Sequence, residues 1–297
     1  MSKTTSHILA ALFRHLKTYP TVDQVGVDPY RVLLENNAAA FKPDKSVQAK
    51  PFRIDSIEAQ WLIPETSGDK RVILYVHGGG FIAGSMHSHR DLASRVAKAC
   101  EAKVLIFNYR LAPEHPFPEG LTDVGTVYDW LTCECGDRHD IVLMGDSAGA
   151  GLALSLLSGL LADRRPLPAC SVLISPWINL DRRPLSPCGN TDTDPMLSMD
   201  ILKQTAALYT DKDLSHPLIS PINNDFTGIT PVLIQTGENE ILLDDSKHLA
   251  QKLKAAGAIV DLEIWEDMFH VWHYFAKYLS EGRQAIRRIG TFVRQHA

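Results

Sequence analysis

From residue 70 onward the chain alternates short β-branched apolar runs with longer stretches of helical periodicity, and this rhythm restricts the fold more than any other feature. The runs are Val72 to Val76, Val104 to Asn108, Ile141 to Met144, Val172 to Ser175, Val232 to Thr236 and Val260 to Trp265. Each is too short for a helix and rich enough in Val and Ile to be a strand covered on both faces. Helical patterns fall between them at Ser88 to Cys100, Leu121 to Leu131, Ala148 to Leu161 and Asp244 to Ala256, and a last pair covers His270 to His296. Repeated strand and helix units of this kind build a parallel sheet with crossover helices on its faces. The expected class is therefore α/β, with a mostly parallel central sheet flanked by helices.

Two regions depart from the rhythm. Residues 1 to 45 hold two amphipathic patterns, Thr5 to Lys17 and Tyr30 to Ala40, and no strand, ahead of a first extended segment at Phe52 to Ile63. The irregular stretch Leu180 to Phe226 carries one helical pattern, Met199 to Tyr209, between two strands of the sheet. An insertion on the loop side of a sheet is a natural lid. The expected organisation is a cap contributed by residues 1–45 and 180–226 over a core made of residues 46–179 and 227–297.

Charge and composition remove several classes. With 30 basic against 35 acidic side chains and a net charge of -5, the chain lacks the basic footprint that displaces counterions from nucleic acid. The longest uncharged stretch, Ser147 to Ala162, is shorter than the roughly 20 residues that span a bilayer. It reads as a buried helix, and no stable membrane insertion is expected. The apolar run Ile8 to Phe13 ends at Arg14, His15 and Lys17, which is not a secretory pattern. Five cysteines, Cys100, Cys133, Cys135, Cys170 and Cys188, are an odd set and too few for a disulfide framework. A cytoplasmic protein with reduced thiols is the expectation.

Gly145-Asp146-Ser147-Ala148-Gly149 follows a strand and opens a helix. A sharp strand-to-helix turn needs residues without bulk around the serine so that backbones can approach, and it lifts the serine oxygen above the sheet edge. The bland alternative is a glycine-rich turn that starts a tightly packed helix. His77-Gly78-Gly79-Gly80 follows another strand, and its glycines expose amides able to meet a developing oxyanion. A phosphate cradle is the competing reading, but neither GxGxxG nor a following Lys-Ser/Thr pair is present.

His77-Gly-Gly-Gly-Phe81, Tyr109-Arg-Leu-Ala-Pro-Glu-His-Pro-Phe-Pro118 and Gly145-Asp-Ser-Ala-Gly149 together resemble the bacterial hormone-sensitive-lipase family of α/β-hydrolase esterases. The ten-residue stretch from Tyr109 is the most specific of the three, and the similarity runs from about residue 70 to the C-terminus. The resemblance implies hydrolysis of small carboxylic esters by a Ser, acid, His triad, with neither cofactor nor metal. It also admits a homodimer, for which no apolar stripe speaks in the sequence.

In that pattern Ser147 is the nucleophile and His270, in Met268-Phe-His-Val271 after the last strand, stands where the chain order Ser, acid, His expects the base. The family places a glycine after this histidine, whereas here Val271 follows. The acid is usually an Asp three residues after the glycine that closes the preceding strand, and Glu240 occupies that position after Gly237. Asp244 is the alternative acid, although the first turn of the next helix suits it better. The oxyanion would be met by the amides of Gly79 and Gly80, with Gly78 as an alternative, and by that of Ala148. Asp146 is expected to stabilise the elbow, and His77 to be structural. His87 and His89 form an H-x-H pair, read as a solvated loop rather than a metal site. Phe81, Trp177, Leu180, Met196 and Trp272 are candidate pocket walls or ordinary core. An amidase or other acyl hydrolase, and a non-catalytic binder on the same fold, are the competing functions.

Overall fold

The computed structural model describes residues 20–39, 41–68, 70–136, 140–181 and 194–297, so the helical pattern expected over Thr5 to Lys17 and the thiol of Cys188 lie outside the described residues. Eight strands pair: β1 Val47–Ile54, β2 Ile57–Pro64, β3 Arg71–Val76, β4 Lys103–Phe107, β5 Asp140–Asp146, β6 Cys170–Ile174, β7 Val232–Gly237 and β8 Val260–Trp265. Their order across the single sheet is β1-β2-β4-β3-β5-β6-β7-β8. All pairings from β4 to β8 are parallel, as the rhythm of the sequence requires. The other edge is an antiparallel hairpin, β1 with β2, and β2 runs antiparallel to β4. The single extended segment expected at Phe52 to Ile63 is thus two strands. A two-residue turn at Asp55 and Ser56 separates them, with Asp55 at φ +51°, a conformation that Asp tolerates better than most residues.

The central strands bury both faces. Val72, Leu74 and Val76 of β3 and Leu143 of β5 enter one apolar cluster, while Ile73, Tyr75, Val142 and Met144 enter the other. Helices α3 Arg90–Cys100 and α8 Ser280–His296 pack together against the second face, through Leu92, Val96, Ile289 and Val293. Helices α4 Glu119–Cys135, α5 Ala148–Ala162 and α7 Leu243–Ala255 cover the first, through Val127, Leu131, Leu152, Leu157 and Leu249. Each such fully buried side chain contributes about 1.5–3 kcal/mol. The long uncharged stretch is indeed a buried helix, since α5 is buried on nearly every side. The expectation of two-sided burial fails at β8, which is the outer strand of the sheet and leaves Ile264 exposed.

Three helices stand outside these layers: α1 Val22–Val25 and α2 Val27–Ala38 before the sheet, and α6 Met199–Tyr209 between β6 and β7. α1 touches α6, and Val22, Leu202 and Tyr209 are buried with the core. No helix among the described residues is long and apolar enough to cross a membrane. Parallel pairing brings the C-terminal ends of β3, β5, β6, β7 and β8 to one edge of the sheet, and the loops leaving that edge carry the candidate chemistry.

Candidate active site

Ser147 joins β5 to α5 at φ +53° and ψ -123°, a conformation that costs an L-residue about 1–3 kcal/mol and persists only when neighbours enforce it. Here the Ser147 N–H donates to the Ile174 carbonyl (2.8 Å), and the Ser147 carbonyl accepts from the Trp177 and Gly151 N–H groups (3.1 and 3.2 Å). The flanking glycines are packing requirements. A Cβ at Gly149 would lie 2.2 Å from the Val76 carbonyl oxygen, so any larger residue would push α5 off β3.

His270 meets Ser147 from the loop after β8. Its Nε2 lies 2.9 Å from Ser147 Oγ, and its Nδ1 lies 3.1 Å from Glu240 Oε2. With the ring proton on Nδ1, donated to the carboxylate, the Nε2 lone pair faces the serine hydroxyl. Ser147, Glu240 and His270 are all buried, Glu240 completely. Burial works against a charged imidazole, but the hydrogen bond and charge of Glu240, reinforced by Asp194 and Asp146, outweigh it and hold His270 above the ordinary histidine value.

Glu240 Oε1 accepts from Ser175 Oγ (2.7 Å) and from the Gly237 N–H (2.6 Å). Ser175 Oγ in turn accepts from the Val271 N–H (3.1 Å). The hydroxyl at the end of β6 therefore bridges the acid and the base loops, a role sequence reasoning missed. Asp244 lies apart, in the first turn of α7, with a 42% exposed side chain 3.6 Å from Lys247. The structure brings Glu240, not Asp244, to the histidine.

The glycine loop after β3 packs against the same elbow, since a Cβ at Gly149 would lie 2.4 Å from the His77 carbonyl oxygen. Gly79 has φ +117°, and a Cβ there would stand 2.1 Å from the Ala83 carbonyl oxygen, so the turn admits glycine alone. Among the described residues no group accepts the N–H of Gly79 or Gly80. Ala148 begins α5, and the first N–H groups of a helix lack intrahelical acceptors. Gly78 is a correction: its N–H donates to Asp146 Oδ1 (3.1 Å) and points at His89 Nε2 (3.1 Å), behind the loop, and so is not free for an oxyanion.

Asp146 also accepts from the Tyr75 hydroxyl (2.9 Å), and burial, which raises its pKa, is overcome chiefly by His89 so that it sits below the usual carboxylate value. It braces the elbow against the glycine loop, as expected. His89 is a second correction, since it is buried against Asp146 instead of solvated, whereas its neighbour His87 is exposed. His77 is structural: its ring stacks on Tyr109 (4.2 Å between centroids), and burial, aided by His89, lowers its pKa to about 3. The Tyr109 hydroxyl donates to the His77 carbonyl (2.9 Å), so the Tyr109 to Pro118 motif buttresses the glycine loop. Arg31 of α2 grips the same region, donating to the carbonyls of Ile82 (2.7 Å) and Ala112 (2.9 Å) and to both oxygens of Glu114.

Of the expected wall residues, Phe81 stacks on Tyr209 of α6 (3.9 Å) and tilts against Trp177 (5.3 Å), forming an aromatic group against the first turn of α5, where a Cβ at Gly151 would lie 3.8 Å from Phe81. Leu180 is buried in the same core cluster, while Trp272 and Met196 belong to a separate one with Met268 and Phe269. No cluster of three metal-ligating side chains occurs among the described residues.

A family profile described as alpha/beta hydrolase fold matches residues 73–274. A crystal structure of an esterase from the bacterial hormone-sensitive-lipase family superposes with a TM-score of 0.93 at 38% identity, covering 100% of this chain and 99% of that one. This chain belongs to that family. An acetyl-hydrolase from Streptomyces hygroscopicus is 38% identical, with 90% of each chain covered, and an esterase from Acinetobacter venetianus is 32% identical, covering 93% of this chain and 92% of its own. An esterase/lipase structure from an uncultured bacterium is 36% identical with a TM-score of 0.90, covering 97% of this chain and 98% of that one. Against the family pattern this esterase-family member carries one backbone anomaly. Val271 follows the histidine with φ and ψ both +46°, the left-handed region in which glycine is unstrained and a β-branched residue is an outlier. The glycine of the family pattern therefore matches a backbone requirement, which the valine meets under strain.

Proposed function

We propose that the protein is a carboxylesterase that hydrolyses small, short- to medium-acyl esters through an acyl-enzyme on Ser147. The reading rests on one observation above all, the continuous contact from Ser147 Oγ to His270 Nε2 (2.9 Å) and from His270 Nδ1 to Glu240 (3.1 Å). Ser147 Oγ attacks the ester carbonyl while His270 Nε2 takes its proton, and Glu240 orients the ring and stabilises the imidazolium. The unoccupied amides of Gly79, Gly80 and Ala148 receive the carbonyl oxygen as it becomes an oxyanion, each such donor lowering the barrier by about 2.7–4 kcal/mol. His270 returns the proton to the departing alcohol and then activates the water that releases the acid.

Residues 1–45 and 180–226 serve as the cap in this reading. Contact of α1 with α6 and the stacking of Tyr209 on Phe81 support it, and a Cβ at Gly80 would lie 2.7 Å from the Thr205 methyl, so α6 packs closely on the glycine loop. A cytoplasmic location accords with the free thiols of Cys100, Cys133, Cys135 and Cys170. The open ladder edge of β8, with Ile264 exposed, supports a homodimer.

Hydrolysis of p-nitrophenyl acetate and butyrate tests the reading. Wild type should turn over both, and Ser147→Ala should lose a factor of about 10⁴ or more. A phenylmethylsulfonyl adduct seen by intact mass should form on wild type and not on Ser147→Ala. Absence of turnover and adduct in folded wild-type protein would make it a binder, and faster cleavage of the matching p-nitroanilides would make it an amidase.

A further inference from the structure

Asp194 is 7% exposed and lies between two loops that are 47 residues apart in sequence. Its Oδ2 accepts from the N–H of Ile241 (2.9 Å), the residue directly after Glu240. Its Oδ1 accepts from the N–H groups of Met196 (2.8 Å) and Leu197 (3.0 Å), in the turn that enters α6. Ser198 then caps α6 by accepting from the Ile201 N–H. A single carboxylate therefore spans from the acid loop to the start of a helix outside the sheet.

We propose that Asp194 is a positioning residue for the His270–Glu240 pair: one oxygen fixes the backbone beside the acid, the other fixes the turn into α6, and its charge favours the imidazolium formed during turnover. The inference rests on the reading of Ser147, His270 and Glu240 as a triad. Three observations carry it. The three N–H donors satisfy the carboxylate oxygens, and among the described residues no Lys or Arg pairs with Asp194. A neutral Asn or Ser would supply most of those acceptors without desolvating a charge, so a buried anion at this place calls for a cation. The titratable group on which its charge acts is His270, which is also the group the reaction protonates.

The charged groups around His270 come from three elements: Glu240 from the loop after β7, Asp194 from the approach to α6, and Asp146 from the elbow. His273, on the turn that follows His270, is kept neutral by burial, its pKa lowered to about 3. Burial pushes the Asp194 carboxyl up, and His270 and the three N–H donors oppose this. Removal of the Asp194 charge takes away one of the anions favouring the imidazolium, so His270 should lose its proton at a lower pH. Loss of the Ile241 anchor should also loosen Glu240.

The test compares Asp194→Asn and Asp194→Ser with wild type. Serine keeps the local turn, because its hydroxyl accepts from an N–H two or three residues on, but it cannot reach Ile241. The His270 imidazole is titrated by NMR, its resonance assigned by loss in His270→Gln, and kcat and KM for p-nitrophenyl butyrate are measured across pH. In both variants we expect the titration and the acid limb of kcat/KM to move down by about half a pH unit or more. We expect kcat to fall roughly 10- to 100-fold, with KM changed less than about threefold. A buried loop staple without a catalytic connection would lower Tm but leave the His270 titration and kcat where they are, and that outcome would overturn the proposal. Failure of both variants to fold would overturn it too, since a positioning role leaves the sheet intact. If wild type turns over no ester, the esterase reading fails by itself, and the titration still reports on Asp194.

Discussion

Replacing Glu240 with Gln turns one carboxylate oxygen of a fully buried side chain into an NH₂ group. The Gly237 N–H cannot be redirected, so the remaining oxygen must stay at the Oε1 position, 2.6 Å from that nitrogen and 2.7 Å from Ser175 Oγ. The new amide nitrogen is then forced into the Oε2 position, 3.1 Å from His270 Nδ1. An amide NH₂ donates, so Nδ1 has to accept, and the ring proton shifts to Nε2, 2.9 Å from Ser147 Oγ. The base now presents a proton where it should present a lone pair. Loss of a triad carboxylate with its geometry intact lowers kcat by about 10⁴, which is about 5 kcal/mol of barrier. Stability should change by no more than about 1 kcal/mol, because each hydrogen bond keeps a partner. Initial rates on p-nitrophenyl butyrate, with circular dichroism and a thermal melt on the same samples, separate the two effects. Asp244→Asn is the control: its exposed contact with Lys247 contributes about 0.5 kcal/mol or less, and activity should be near wild type. Glu240→Asp should keep part of the activity over a lengthened contact. A Glu240→Gln enzyme within tenfold of wild-type kcat, or a severe loss confined to Asp244→Asn, would refute the reasoning.

Activity should rise with pH as His270 loses its proton, with a midpoint above about 6.5 because the Glu240 bond and charge more than offset burial, and Glu240→Gln should lower that midpoint. The sign for stability is opposite: a raised folded-state pKa stabilises fully below the unfolded value and loses its effect as pH passes the folded one, so the Tm gap between wild type and His270→Gln should shrink on going alkaline. At Val271, φ +46° reverses the usual order of small residues, and Val271→Gly should be about 1 kcal/mol more stable than Val271→Ala in urea melts; the reverse order would disprove the strain. Arg31→Ala should cost about 1–2 kcal/mol, discounted for partial exposure, and should reduce kcat more than KM, since Ile82 adjoins the glycine loop. Equal activity at full stability would remove Arg31 from that role.

Most of the sheet was legible because buried parallel strands must be short, apolar and β-branched, and nothing else in the chain has that composition. Ser147 was legible from its place in Gly145-Asp-Ser-Ala-Gly149 between a strand and a helix, and Glu240 from its place three residues after Gly237, which ends β7. The hairpin of β1 and β2 was not, since Asp55-Ser56 lacks the Asn-Gly signature of such turns. His89 was misplaced because a polar sequence around it, Ser85 to Arg90, gives no sign that the loop folds back onto Asp146. Ser175 and Asp194 gave no signal at all. Their roles depend on contacts across 65 and 47 residues, to Glu240 and to Ile241, which no local pattern encodes.

The order of strands also dictates when the machinery can exist. Ser147 and His270 are 123 residues apart, and their contact spans the sheet from the end of β5 past β6 and β7 to the loop after β8. Bringing such distant segments together carries its loop-closure entropy before any reward, so this contact belongs to the late phase of folding. A nascent chain extended only through α7 already contains the nucleophile and the acid, yet it has no base. Recovery of ester hydrolysis during refolding should therefore lag behind the recovery of secondary structure and coincide with docking of the last strand.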